Sequence, residues 1–294
     1  MITDIESATP ALCRLQLGSE LRQLRQVAGL NGRQVVRKLL WSSSKLTRLE
    51  TGDNASVEPS DVIALCEIYG ASKEKRALLQ GYAAVTKTRR DWWQSPTYRP
   101  VIRPGFKAFL GLEATASALQ NYESEFVPGL LQTEAYVRVI HERAHQGMNA
   151  EEVDSLVAVR MNRQEVLRRE CSPLKLTAII NEAVLRRTVG GSKLMRDQLS
   201  HVVDVATELP NVRVQVVPFS YGAHSGMNGP FFVLKFPDGA TMRSLVYLEN
   251  MADAWVGRRE EDIERYKEAF TDLQALAPGP QESLSLIKRA IKEH

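Results

Sequence analysis

His141-Glu142-Arg143-Ala144-His145 sets two imidazoles four residues apart on a predicted helix, with a carboxylate beside the first. That spacing puts both rings on one helix face, where they can hold a zinc ion while the glutamate serves as general base. A third ligand is needed, and the helix runs at once into Gln146-Gly147-Met148. The expectation is a surface helix end, with a metal site as the open alternative. Gly190-Gly191-Ser192 is too short a signal for a phosphate loop. No nucleophile–base pair is readable, so no catalytic residue, cofactor or enzymatic activity is expected.

A second chemistry is clearer. Trp41-Ser42-Ser43-Ser44-Lys45-Leu46-Thr47-Arg48-Leu49 mixes short hydroxyl side chains and cations with apolar residues three apart. A helix enters the major groove when its first turn is short and polar or basic and its back is apolar. Ser42 is a natural N-cap, which leaves backbone N–H groups near a phosphate. Ser43, Ser44 and Thr47 then stand where base edges would be, and Lys45 and Arg48 reach bases or phosphates. Glu50 is expected to pair inside the helical bundle.

The elements around this stretch are short helices. Leu17, Leu21, Leu24 and Ala28 recur at helical spacing up to Gly29. Asn31 caps a second helix carrying Val35, Val36 and Leu39. Gly52 closes the third, residues 59–69 form a fourth and 72–84 a fifth. Leu21, Leu24, Val35, Leu39, Leu46, Leu49, Ile63 and Leu65 are the predicted core, behind a loose arm at residues 1–10. Charge agrees: residues 1–110 hold 17 Lys+Arg against 10 Asp+Glu, and the remainder 21 against 25. A basic front half suits a polyanion.

Leu17 to Gly52 resembles the helix-turn-helix of the XRE (Cro-type) repressor family. LGSELRQLRQVAGL, NGRQVVRKLL and WSSSKLTRLETG carry the resemblance. It implies binding of double-stranded DNA by a dimer. It also implies backbone contacts from Asn31, Arg33, Arg37 and Lys38, along the second helix. One position departs: Gly32 stands where the family often has Gln, which bears on how sharply sequence is read.

Of the 294 residues, 44% are hydrophobic and 25% charged, ordinary globular values that exclude a wholly disordered chain. No apolar run of about 18 residues occurs, so no spanning helix is expected. MITDIESATP lacks the pattern of a secretory signal, and a cytoplasmic protein is expected. Cys13, Cys66 and Cys171 are too scattered for a disulfide framework or a structural zinc site.

The expected domains are residues 1–85, a linker or cover segment at 86–110 and a larger unit at 111–294. The middle segment has three prolines and no period, although Trp92 and Trp93 are too apolar for a free linker. Beyond it, predicted helices at 133–144, 151–170, 193–208, 260–276 and 283–292 alternate with strands at 174–180, 211–219, 231–236 and 244–248. Residues 111–132 read as helix or strand. An Asp238-Gly239 turn joins the last two strands, and alternation at 211–219 predicts half-burial. The fold class is therefore α+β overall, an all-α five-helix domain followed by a larger mixed α/β domain.

Two turn-rich segments, 122–133 and 218–231, flank predicted strands and are the expected mouth of a ligand or partner site. Tyr122, Glu125, Phe219, His224 and Phe231 are its candidate residues, with Phe219 and Phe231 as core the alternative. VPGLLQTEAYVR, NEAVLRRTVGG, VQVVPFSYGAHSGMNGPF and VYLEN are similar to the C-terminal domain of WhiJ-like actinobacterial regulators. That resemblance implies a transcription regulator whose partner is a small BldB-like acidic protein. A sensor of a small-molecule ligand, an antitoxin-like protein holding a small partner, and a DNA-tethered enzyme stay open as readings of the back domain.

Overall fold

A computed structural model describes residues 10–52, 56–88, 91–144, 147–170, 172–237, 244–250 and 254–294. The fold is α+β, a helical region followed by a mixed sheet with helices. The chain forms two compact units, one from the residues up to Ser95 with the 236–243 segment, the other from the rest. Among the described residues no helix is long and apolar enough to cross a membrane. Residues 1–9 of the predicted 1–10 arm, the Asp238-Gly239 turn and Cys171 lie outside the described residues, while Pro10 opens the first helix.

Among the described residues the first unit has five α-helices: α1 (Pro10–Val27), α2 (Gly32–Leu39), α3 (Ser43–Thr51), α4 (Pro59–Tyr69) and α5 (Lys73–Thr88). Helix α1 starts about two turns before Leu17 because Cys13 extends the Leu17–Leu21 stripe and Pro10 tolerates the first helical position. Leu17, Leu21, Val35, Leu46, Leu49, Leu65, Leu79 and Tyr82 meet in one core, with Leu24 and Leu39 packed on it. Ile63 is only half-buried. Gly18 lets α1 and α3 touch, since a Cβ there would lie 2.4 Å from the Leu49 carbonyl oxygen.

The expected linker is largely structured. Helix α5 runs to Thr88, and the Thr86 hydroxyl accepts from the Val57 N–H at 3.0 Å. Asp91 pairs with Arg14 at 2.9 Å, and Trp93 is buried. The first unit therefore needs residues up to about 95, not 85. The helix α6 (Pro104–Thr115) follows. Its one proline does not break it, because Pro104 occupies the first turn, where a missing N–H costs nothing.

The second unit continues with β1 (Ala118–Glu123), α7 (Glu134–Ala144), α8 (Ala150–Arg163) and β2 (Lys175–Asn181). Then come α9 (Glu182–Arg186), α10 (Ser192–Glu208), β3 (Val212–Val217), β4 (Phe231–Lys235) and β5 (Ser244–Glu249). The chain ends with β6 (Ala254–Gly257), α11 (Glu260–Leu276) and α12 (Pro280–Glu293). The sheet order is β3-β2-β1-β4-β5-β6. The β3-β2-β1 half is parallel and the rest antiparallel, so β1 is the strand where direction changes.

Helices cover both faces of this sheet. Tyr122, Ile179, Phe231, Val233 and Val246 pack under Phe270 and Leu273 of α11. On the opposite face Phe109 of α6 stacks on Tyr247 at 4.4 Å. Strand β3 is accordingly buried on both sides apart from Arg213, not half-buried as its alternation predicts. Gln215 fits because its amide donates to the Pro278 carbonyl at 2.9 Å. The outer edge of β3 is also engaged: the Val216 N–H donates to the Ser283 hydroxyl of α12 at 3.1 Å.

Candidate nucleic-acid interface

The turn between α2 and α3 is set by local chemistry. Asn31 Oδ1 accepts from the Gln34 N–H at 3.0 Å, and Gln34 Oε1 accepts from the Asn31 N–H at 2.8 Å. This reciprocal pair satisfies two otherwise open donors at the start of α2. Leu40 then takes a left-handed conformation with φ 56° and reverses the chain. Ser42 caps α3, its hydroxyl accepting from the Lys45 N–H at 3.2 Å. Both caps fall where the sequence places them.

Helix α3 is held from behind. Its Leu46 and Leu49 are buried, and Glu50 accepts from Arg25 Nε at 2.6 Å and Arg25 Nη2 at 2.8 Å. The third nitrogen of Arg25 donates to the Leu30 carbonyl at 3.0 Å. One guanidinium thus ties α1, the turn before α2 and α3 together, and it stays charged because the Glu50 hydrogen bonds push its pKa up.

The outer face of α3 presents Ser43, Ser44, Thr47 and Arg48, all exposed, beside exposed Ser42. Asn31, Arg33, Arg37 and Lys38 are exposed on and before α2. A cleft of about 500 Å³ between the two helices gathers Asn31, Arg33, Ser43 and Thr47. Gly32 lines it without being crowded, since the nearest atom to a Cβ there is 3.7 Å away. Lys45 departs from its expected place. Its Nζ pairs with Asp61 of α4 at 2.8 Å and lies 3.9 Å above the Trp41 ring. The cation is drawn back onto its own unit because an acid and an aromatic face are both within reach.

In the second unit the C-terminal ends of β1 and β3, on either side of β2, run into the two turn-rich segments. Their candidate residues divide. Tyr122 and Phe231 are correctly read only as core, at 1% and 2% exposure on adjacent strands, and offer no surface to a partner. Phe219 is exposed, with its N–H donating to Glu182 at 2.9 Å. Glu125 is exposed and paired with Arg187. His224 is half-buried: its Nδ1 accepts from the Gly226 N–H at 3.1 Å, and its Nε2 lies 3.3 Å from the Asn181 amide. Its ring stands edge-on to Tyr122, and Gly226 leaves the space that ring needs, since a Cβ would sit 2.4 Å from it. Phe126, Tyr221 and Met227 are exposed on the same loops.

A helix-turn-helix domain family matches residues 16–79. A family described as a domain of unknown function, DUF5753, matches residues 106–289, more than half of the chain. The chain belongs to the DUF5753 family. No curated protein and no solved structure matches it. The helix-turn-helix match covers the caps, the cleft and the α3 face described above, and points to DNA binding. The DUF5753 match begins inside α6 and takes in every strand of the sheet.

Within the DUF5753 domain the His141–His145 pair is only half placed. His141 is buried rather than at a surface helix end, one turn after Val137 on the side of α7 that meets α8. His145 lies outside the described residues. Among the described residues no group of three or more His, Cys, Asp and Glu is arranged to hold a metal ion. Sequence reasoning missed Asn181, Glu182 and Arg187, which hold the loops, and the buried charges of α6, β1 and α8. The available signal was the position of Arg160 and Arg163, which continue the apolar stripe of Val153, Leu156 and Val159.

Proposed function

We propose that this chain is a sequence-specific, DNA-binding transcription regulator of the XRE type, acting as a cytoplasmic homodimer on two half-sites. The carrying observation is α3: a polar, exposed face of Ser43, Ser44, Thr47 and Arg48, backed by Leu46, Leu49 and the Arg25–Glu50 clamp. Only a helix held this rigidly reads base edges with useful discrimination. Arg48→Ala lowers affinity for a selected operator by about 1–3 kcal/mol and relaxes its sequence preference. Arg33→Ala weakens operator and random DNA alike and reduces the salt slope by about 1. Lys45→Ala has the smallest effect, because Asp61 already engages its charge. Fluorescence anisotropy at two salt concentrations separates the three, and wild-type binding by the Arg48 and Arg33 variants together would remove α3 from the interface.

The DUF5753 domain is the input module in this reading, a binding rather than a catalytic domain. The similarity to WhiJ-like regulators favours a small BldB-like acidic protein as its partner, received at the ends of β1–β3. Exposed Phe126, Phe219, Tyr221 and Met227 supply apolar area there, and Arg187 a cation. Glu125→Gln frees Arg187, and His224→Ala opens the loop behind it. Both variants are expected to melt close to wild type and to change the response of a reporter to the neighbouring small acidic protein. Folded variants with an unchanged response would move the input site elsewhere.

A further inference from the structure

We propose that Arg160 and Arg163 of α8, with the backbone at Gly129, form a binding site for the oxyanion of a small molecule, a phosphate or a carboxylate group. Arg163 is 3% exposed. Its Nε and Nη2 each donate to Glu113 of α6 at 2.8 Å, while its Nη1 is buried with no hydrogen-bond partner. A buried guanidinium nitrogen left open is a donor waiting for an acceptor. Arg160 lies one turn earlier on α8 and makes no ion pair among the described residues. The two cations converge. A Cβ placed on Gly129 would lie 2.7 Å from Arg160 Nη1 and 3.2 Å from Arg163 Nη1. Any side chain at 129 would fill the space between the backbone and both nitrogens.

The surroundings hold the two cations in place: Glu113 pairs with Arg163 and leaves its Nη1 open. Both guanidinium groups lie over the Phe106 ring, at 5.6 and 5.0 Å, and Arg163 also over Phe109 at 5.3 Å. Burial, and then the charge of Arg163, push the Arg160 pKa down to about 10. Glu123 at the end of β1 does not supply the missing anion. Burial pushes its pKa up to about 8, against the Asn121 hydrogen bond and the charges of Arg160 and Arg163, with Glu249 of β5 opposing them. Near neutral pH it is mainly the uncharged acid. Tyr247 of β5 stays a phenol, its pKa pushed up by burial and by Glu249. One Arg163 nitrogen thus stays open beside the Arg160 guanidinium, and two adjacent guanidinium groups match the paired oxygens of an oxyanion. The site sits at the C-terminal end of β1, the edge of an α/β sheet that takes ligands.

The assignment stands apart from the regulatory reading, since its test needs no DNA. Full-length protein is melted in sodium phosphate, glycerol 3-phosphate or sodium acetate, each against sodium chloride of equal ionic strength. At least one anion is expected to raise the melting temperature saturably: acetate marks a carboxylate ligand, the ester without free phosphate a phosphate ester. Arg160→Gln and Gly129→Ala should each weaken that effect at least about tenfold. Without anion, Arg160→Gln should melt at or above wild type, because it removes a like charge beside Arg163. The response should fade between about pH 7 and 9 as Glu123 ionises, and Glu123→Gln should flatten that profile. Three results overturn the proposal: no anion acts beyond chloride, Arg160→Gln responds as wild type does, or Arg160→Gln melts well below wild type, which makes Arg160 structural.

Discussion

Glu113→Ala destabilises the DUF5753 domain by about 3–5 kcal/mol, the cost of removing one partner from a buried ion pair. Glu113 and Arg163 are 2% and 3% exposed at the side chain and joined by two parallel hydrogen bonds of 2.8 Å. The pair spans 50 residues and fastens α6 to the last turn of α8. After the substitution every nitrogen of Arg163 is buried without an acceptor, beside a second cation at Arg160. Equilibrium urea unfolding measures the loss. A double replacement by apolar residues of similar volume, Glu113→Leu with Arg163→Met, should recover most of it, since well-packed apolar residues often equal a buried pair. A change below about 0.5 kcal/mol in the single variant, the size of a surface substitution, would contradict the burial described here.

Glu50→Ala lowers the stability of the helical unit by about 3 kcal/mol, toward the lower end for a buried pair because some water reaches it. Arg25 and Glu50 are 16% and 10% exposed. The functional loss should exceed the loss of fold. Arg25 also holds the Leu30 carbonyl, so freeing it loosens the start of α2 and the back of α3 together. DNA affinity is expected to fall by at least about tenfold even where circular dichroism shows the helices intact, since misplaced base contacts lose about 1–3 kcal/mol each. Glu50→Gln, which keeps the shape and one acceptor, should retain part of both. Full DNA affinity in folded Glu50→Ala would show that α3 is positioned by Leu46 and Leu49 alone.

Local chemistry was legible in the sequence and distant chemistry was not. Asn31, Ser42 and Gly52 mark helix ends through bonds to residues within four positions, and the structure places them so. Glu50 was readable as an internal partner, though Arg25 as its mate was not. The Lys45–Asp61 pair was not legible because Asp61 belongs to another helix. Tyr122 is core although the turn residues beside it suggested a loop, and for Phe231 the core alternative is the one that fits its burial. Strand β1 was ambiguous for a related reason: its Gln120 and Asn121 look like loop residues until Asn121 Nδ2 finds the Tyr122 carbonyl and Glu123. The Glu113–Arg163 pair has no local signature, because each charge is tolerable only beside a partner that the fold supplies.

The place of β1 in the sheet also has a consequence during synthesis. It is the first strand made, yet it ends in the centre, beside β2 on one side and β4 on the other. Its residue Asn121 lies 110 positions before its β4 neighbour Phe231. At roughly 5–20 residues per second, a ribosome needs about 5–20 s to cover that distance. Through that interval one edge of β1 has no strand to pair with, while Leu119 and Tyr122 await their cover. The nascent chain therefore carries an open β edge for seconds, longer than a small domain takes to fold. Chaperone dependence and inclusion-body formation should follow that window, and slower translation between β1 and β4 should worsen both.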